Sequence, residues 1–120
     1  VGNPHCVVFC DKIDELELDK IGPQFEYADI FPERVNTEFV RAVDGNTLRL
    51  RVWERGNGET MACGTGACAA AAAAVRNGLC AEGTDITVKL AGGDLIVNCS
   101  GGRAVLTGGA AFVFEGAFQY

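Results

Sequence analysis

Short runs of alternating apolar and polar positions fill most of the chain, and one block in the middle shows no alternation at all. HCVVFCD, His5 to Asp11, is dense in β-branched and aromatic residues and predicts a strand, with Cys6 and Cys10 on one face. Leu16, Leu18, Ile21 and Phe25 recur at roughly helical spacing, and Gly22-Pro23 interrupts them, which predicts a short helix broken at that pair. Val35 to Val43 alternates and runs into Asp44-Gly45-Asn46; Thr47 to Glu54 then sets Leu48, Leu50 and Val52 against Arg49, Arg51 and Trp53. Two alternating runs around such a turn predict a hairpin. The last third, DITVKLA, DLIVNCS, RAVLTG and AAFVFEGAFQY, is punctuated by Gly92-Gly93, Gly101-Gly102 and Gly108-Gly109 and is expected to be all strand.

The block without alternation is ACGTGACAAAAAAVRNG. It predicts a helix over about Thr65 to Asn77, closed by Gly78. The middle of this helix is apolar on every face, which predicts that protein surrounds it. Alanine favours the helix, and its small side chain lets strands approach closely. The elements add up to an α+β fold: a mainly antiparallel sheet curled around one central buried helix.

At 120 residues, with 48% apolar and 22% charged residues, the chain is expected to form one globular domain with a real core. Net charge is −6, from 10 basic and 16 acidic residues, and the basic residues are scattered, which argues against a nucleic-acid partner. The longest uncharged apolar run, Ala67 to Val75, falls far short of the roughly 20 residues of a membrane-spanning helix. The opening VGNPHCVVFCDK lacks the features of a secretory signal, and it lacks an initiator Met, so a domain of a longer protein is expected. The cysteines at 6, 10, 63, 68, 80 and 99 contain no C-x-x-C pair, and His5 is the single histidine, so no metal site is expected. Mostly free thiols in a reducing cytoplasm fit this pattern.

Cys63 reads equally as one more small buried residue or as a reactive thiol. It sits just before a helix, where free N–H groups and the helix dipole favour a thiolate. Gly64, Thr65 and Gly66 follow with little steric cover, a cradle suited to a carboxylate or phosphate. Glu54 and Arg55 end the preceding strand; taken alone they read as an exposed ion pair, while beside Cys63 Arg could grip a carboxylate in two-pronged fashion and Glu could hold an ammonium or tune a proton. Asn3 and Asn36 offer amides suited to an amino-acid head group. The remaining five cysteines read as small buried residues, and His5 as either a site residue or a satisfied strand residue.

Taken together, GNPHCVVF, FPERVNTEFV, LRLRVWERGNGETMACGTGACAAA and GGDLIV…LTGGAAFVFEG resemble diaminopimelate epimerase, in that family's order and over nearly the whole chain. The resemblance implies two pseudo-symmetric domains, each wrapping strands around a helix, with the site in the cleft between them. The chain then corresponds to the C-terminal domain, and the N-terminal domain with the second cysteine lies outside it. The implied activity needs no pyridoxal or other cofactor: two cysteines flank the α-carbon and interconvert LL- and meso-diaminopimelate in lysine and peptidoglycan precursor synthesis. By the same resemblance, Cys63 is one of the pair, with His5 and Glu54 assisting its proton transfers. Asn3, Asn36, Glu54 and Arg55 hold the distal end of the substrate, and Gly64 and Thr65 cradle the reacting carboxylate. The isolated chain is expected to be inactive without its other half, unless a homodimer brings two copies of Cys63 face to face. The rival readings are a proline-racemase-like enzyme, which the Glu54-Arg55 run disfavours, and a non-catalytic ligand-binding fragment.

Overall fold

The computed structural model describes residues 5–61 and 63–107, and the backbone of 115–119. In chain order it contains β1 (His5–Phe9), a 3-10 turn (Ile13–Glu15), α1 (Leu18–Glu26), β2 (Asn36–Asp44), β3 (Thr47–Glu54), β4 (Gly58–Thr60), α2 (Gly64–Arg76), β5 (Asp85–Leu90), β6 (Gly93–Ser100), β7 (Arg103–Thr107) and β8 (Glu115–Gln119). The strands join one sheet in the order β1-β2-β3-β5-β6-β7-β8, with β4 paired to β3 alongside. Pairing is antiparallel except for β1 with β2 and β3 with β5, which are parallel. The sheet curls around α2, which packs against β1, β2, β3, β5, β6 and β7.

The alanines explain that wrapping. Ala67, Ala70, Ala71 and Ala74 are buried among Val40, Val52, Val88, Val97 and Leu106, contributed by five strands. The expected α+β architecture holds, with one refinement. The helix is not covered all round: Thr65, Ala69 and Ala73 are half-buried and Arg76 is exposed. This open stripe borders a groove of about 390 Å³ shared with His5 and Val7 of β1.

Two local expectations are corrected. The Leu18–Glu26 helix runs through Gly22-Pro23 instead of breaking there. Pro23 gives up one N–H, but tertiary contacts hold the segment on both sides. Leu18 is buried in a second core with Ile13 and Phe39, and Gly22 lies against the face of Trp53. The β2 strand does not alternate either, since Asn36 through Val40 are all buried. Its inner face meets α2, while Ile13, Leu18 and Phe25 cover its outer face. A strand covered on both sides loses the period-two pattern that marks a half-exposed one.

The turns follow the glycines. Gly101 (φ 58°) and Gly102 (φ 79°) both take left-handed backbone between β6 and β7, the requirement of a tight two-residue hairpin. Gly78 (φ 74°) follows the end of α2, as the helix-stop pattern expects. Gly108-Gly109 lies outside the described residues.

Candidate active site

Topology gathers the candidate residues at one end of the sheet. Because β1 and β2 run parallel, His5 lies beside Asn36 where both strands begin. Because β3 runs antiparallel to β2, its last residues return to the same end, with Trp53 opposite Thr37. Glu54, Arg55 and the short β4 loop then lead directly into α2. Glu38 of β2 and Glu54 at the end of β3 thereby reach the neighbourhood of Cys63 at the start of the helix, while the Arg55 side chain turns to a separate groove.

Cys63 is the N-cap of α2. Its backbone is extended (φ −151°, ψ 105°), and its sulfur accepts the Gly66 N–H at 3.2 Å, the bond that a Ser or Asp usually makes at this position. Thr65 Oγ1 lies 3.5 Å from the same sulfur. The Gly66 N–H is thus committed to Sγ. The cradle expected from Gly64, Thr65 and Gly66 narrows to the half-exposed Gly64 and Thr65, at the helix start where N–H groups lack intrahelical acceptors.

Space is tight beside Gly66. A Cβ there would lie 3.1 Å from the Cys63 sulfur and 3.3 Å from both Cγ and Oε2 of Glu38. Sulfur and carboxylate therefore border the same small volume above the first helical turn.

The expected anionic sulfur is corrected by this environment. Burial pushes the Cys63 thiol above its ordinary range. Thr65 and the Gly66 N–H pull it back, and the charges of Glu54 and Glu38 push it up further. The helix terminus favours the thiolate as expected, but desolvation and two nearby carboxylates outweigh it. The balance of these influences holds the Cys63 proton more tightly than that of an ordinary thiol. Cys68, inside the helix, is pushed up to about 12, chiefly by burial, as suits a packing residue.

Glu54 is held by the Thr60 hydroxyl, which donates to its Oε2 at 2.7 Å across the β3–β4 hairpin. Asn36 and Arg55 come together: the Arg55 backbone N–H donates to Asn36 Oδ1 at 2.6 Å. The Arg55 guanidinium donates to the Glu33 carbonyl at 3.0 Å and lines an open polar groove of about 780 Å³ with Tyr27, Pro32, Glu33 and Arg34. Asn3 lies outside the described residues.

Two carboxylates escaped the sequence reading. Glu26, nearly fully buried at the end of α1, accepts from Trp53 Nε1 at 2.8 Å and from the Gly56 N–H at 3.1 Å, and pairs with Arg34 at 3.1 Å. It anchors the turn that carries Glu54 and Arg55. Glu38, fully buried on β2, holds His5: both of its carboxylate oxygens lie 3.0 Å from Nδ1. Burial raises the Glu38 carboxyl against the lowering influence of His5. The available signal was a charged residue at an inward strand position, between Asn36 and Val40. His5 thus connects to the Cys63 neighbourhood through Glu38. Among the described residues, no group of three or more His, Cys, Asp or Glu could hold a metal ion, and no helix is long and apolar enough to cross a membrane.

Known proteins resemble the chain in sequence and in fold. The chain is 54% identical over 119 residues to a diaminopimelate epimerase of Bacillus licheniformis, covering 98% of this chain and 42% of that protein. It is 49% identical over 120 residues to one of Desulfovibrio desulfuricans, covering 98% and 41%. The chain therefore spans about two fifths of the length of these curated relatives. Among solved structures, a PhzF-family phenazine biosynthesis protein of Enterococcus faecalis superimposes with a TM-score of 0.66 at 22% identity, over 88% of this chain and 37% of that one. A PhzF-family protein of Bacillus anthracis gives 0.61 at 24%, over 88% and 34%. At such identity these likenesses bear on the fold alone. The family model for diaminopimelate epimerase matches residues 1–113, and the chain belongs to that family.

Proposed function

We propose that this chain forms one half of the active site of a cofactor-independent diaminopimelate epimerase and contributes one of its two reacting sulfurs. The observation that carries the reading is Cys63 itself: a half-buried thiol capping a helix, with carboxylates beside it and helix-end N–H groups next to it. The second cysteine belongs to an N-terminal domain outside this chain, in keeping with the partial coverage of the relatives.

In this reading the substrate carboxylate lies at the start of α2, against Gly64 and Thr65. The α-proton is very weakly acidic, and without an electron sink the charge must move into the carboxylate as enolate character. Each N–H donor aimed at such developing charge is commonly worth about 3–4 kcal/mol. The opposing thiolate takes the α-proton and becomes a thiol. Cys63 gives its own proton to the other face of the carbon and becomes a thiolate. The stereocentre is inverted with no net gain or loss of protons, and the reverse reaction exchanges the two roles. A Cys63 that starts as the thiol suits the donor role. Glu54 and Arg55, with Asn36 fixing the Arg55 backbone, recognise the distal amino-acid group. The setting is cytoplasmic precursor biosynthesis.

The test is exchange of the substrate α-hydrogen in deuterated water, followed by proton NMR. The chain alone should show none, and the chain supplied with an N-terminal epimerase domain should exchange and epimerise. Cys63→Ser should abolish exchange in the pair. Full exchange by the chain alone, or retained exchange in Cys63→Ser, would overturn the reading. A proline-racemase-like activity predicts proline binding in preference to diaminopimelate; the Arg34 and Arg55 groove favours a substrate with a second charged group.

A further inference from the structure

The Glu38–His5 pair carries an inference beyond the residues already assigned. A fully buried carboxylate is uncommon and costly unless paired. Glu38 occupies an inward β2 position, flanked by Asn36 and Val40, where an apolar side chain would pack against α2. Its side chain is 0% exposed, against 16% for His5, and both of its oxygens converge on the one ring nitrogen Nδ1. The same carboxylate borders the point above Gly66 that the Cys63 sulfur also borders. The other titratable groups facing it are Glu54 from the end of β3, Cys63 from α2 and Cys6 from β1.

We propose that Glu38 is a positioning residue: its carboxylate accepts the Nδ1 proton of His5, locks the neutral imidazole with its free lone pair on Nε2, and spaces that ring from the Cys63 sulfur. The structural half of this inference is independent of the enzymatic reading; its catalytic consequence rests on that reading. Free imidazole prefers its proton on Nε2. Without Glu38 the outer nitrogen would change from an acceptor to a donor, and the ring would lose its tether at the start of β1. A histidine so held can accept a proton at Nε2 from the neutral state and cannot give one from it.

His5 is the single histidine of the chain, so 15N-histidine labelling reports on this ring alone. At a pH where the ring is neutral, the wild-type chain should show a protonated, pyrrole-type Nδ1 and an unprotonated, pyridine-type Nε2. Glu38→Leu should exchange the two signatures. Glu38→Gln, whose side-chain oxygen still accepts a hydrogen bond, should retain the wild-type pattern. With an N-terminal epimerase domain supplied, Glu38→Leu should lower kcat for α-hydrogen exchange about 10- to 100-fold, the scale of a small misplacement, with KM changed less than about twofold and Glu38→Gln restoring most of the rate. An unprotonated Nδ1 in the wild-type ring, or nitrogen shifts unmoved in Glu38→Leu, would overturn the proposal without requiring any variant to be active. An undiminished rate despite an exchanged tautomer would overturn the catalytic half. The expected tautomer in a wild-type pair that exchanges no hydrogen would count against the epimerase reading and leave the role of Glu38 toward His5 standing.

Discussion

Replacing Gly22 with alanine should destabilise the protein, although helix propensity taken alone says the opposite. An alanine in a helix interior is favoured over glycine by about 1 kcal/mol. At Gly22 the added Cβ would lie 2.2 Å from Cδ2 of Trp53 and 2.6 Å from Cε2 and Cε3. Carbon atoms in contact sit about 3.5–4.0 Å apart, so the indole must retreat by roughly 1.3 Å or more. It is not free to do so, because its Nε1 donates to Glu26 at 2.8 Å. Overpacking costs about 1–3 kcal/mol, and losing a hydrogen bond to a carboxylate costs about 1.5–3 kcal/mol. Subtracting the propensity gain leaves a net loss of about 1.5–5 kcal/mol. Urea unfolding followed by far-UV circular dichroism would read it. The decisive control is the Trp53→Leu background, where the clash is gone. There Gly22→Ala should stabilise by up to about 1 kcal/mol, reversing sign. An equal effect in both backgrounds, or a stabilised single variant, would refute the reasoning.

Three other outcomes follow from the site. Cys63 should alkylate with a pH midpoint above that of an ordinary thiol, because its raised affinity for the proton leaves less thiolate at any given pH; Glu54→Gln should move the midpoint down by removing a nearby negative charge, as peptide-resolved mass spectrometry would show. Glu26→Gln removes a charged acceptor from Trp53, Gly56 and Arg34, so it should loosen the turn bearing Arg55 and raise KM for diaminopimelate in the complemented enzyme about tenfold, with a smaller change in kcat. Thr37→Val should leave stability unchanged or raise it by about 1 kcal/mol in urea melts, because the Thr37 hydroxyl is buried without a hydrogen-bond partner among the described residues and the apolar isostere removes that penalty.

Part of the candidate site could be proposed from the chain because those residues are local. The N-cap cysteine, the glycines that follow it and the Glu54-Arg55 strand end lie within a dozen residues, and backbone propensity alone puts a helix start beside a hairpin end. The glutamates were not legible. Glu38 shares the inward face of β2 with Asn36 and Val40, and only the assembled fold shows that His5 from β1 and Gly66 at the start of α2 meet its carboxylate there. Glu26 looks like an exposed helix end until Trp53 and Gly56 turn toward it. The Gly22-Pro23 pair misled for a related reason: a close approach by Trp53 selects glycine there, and tertiary packing carries the helix past the proline.

By itself, the sequence determined the α+β class, the hairpin of β2 and β3, the extent of the alanine-rich helix with a cysteine at its start, and the glycine turns at Gly92-Gly93 and Gly101-Gly102. These depend on local backbone preference and on which positions are apolar, and both are written in neighbouring residues. Tertiary structure alone decided the parallel pairing that sets His5 beside Asn36, the contact between His5 and a glutamate 33 positions away, and the proton affinity of Cys63. The first two depend on sheet register across long separations. The last depends on how much water the assembled fold removes from around a sulfur, a quantity no local stretch of residues contains.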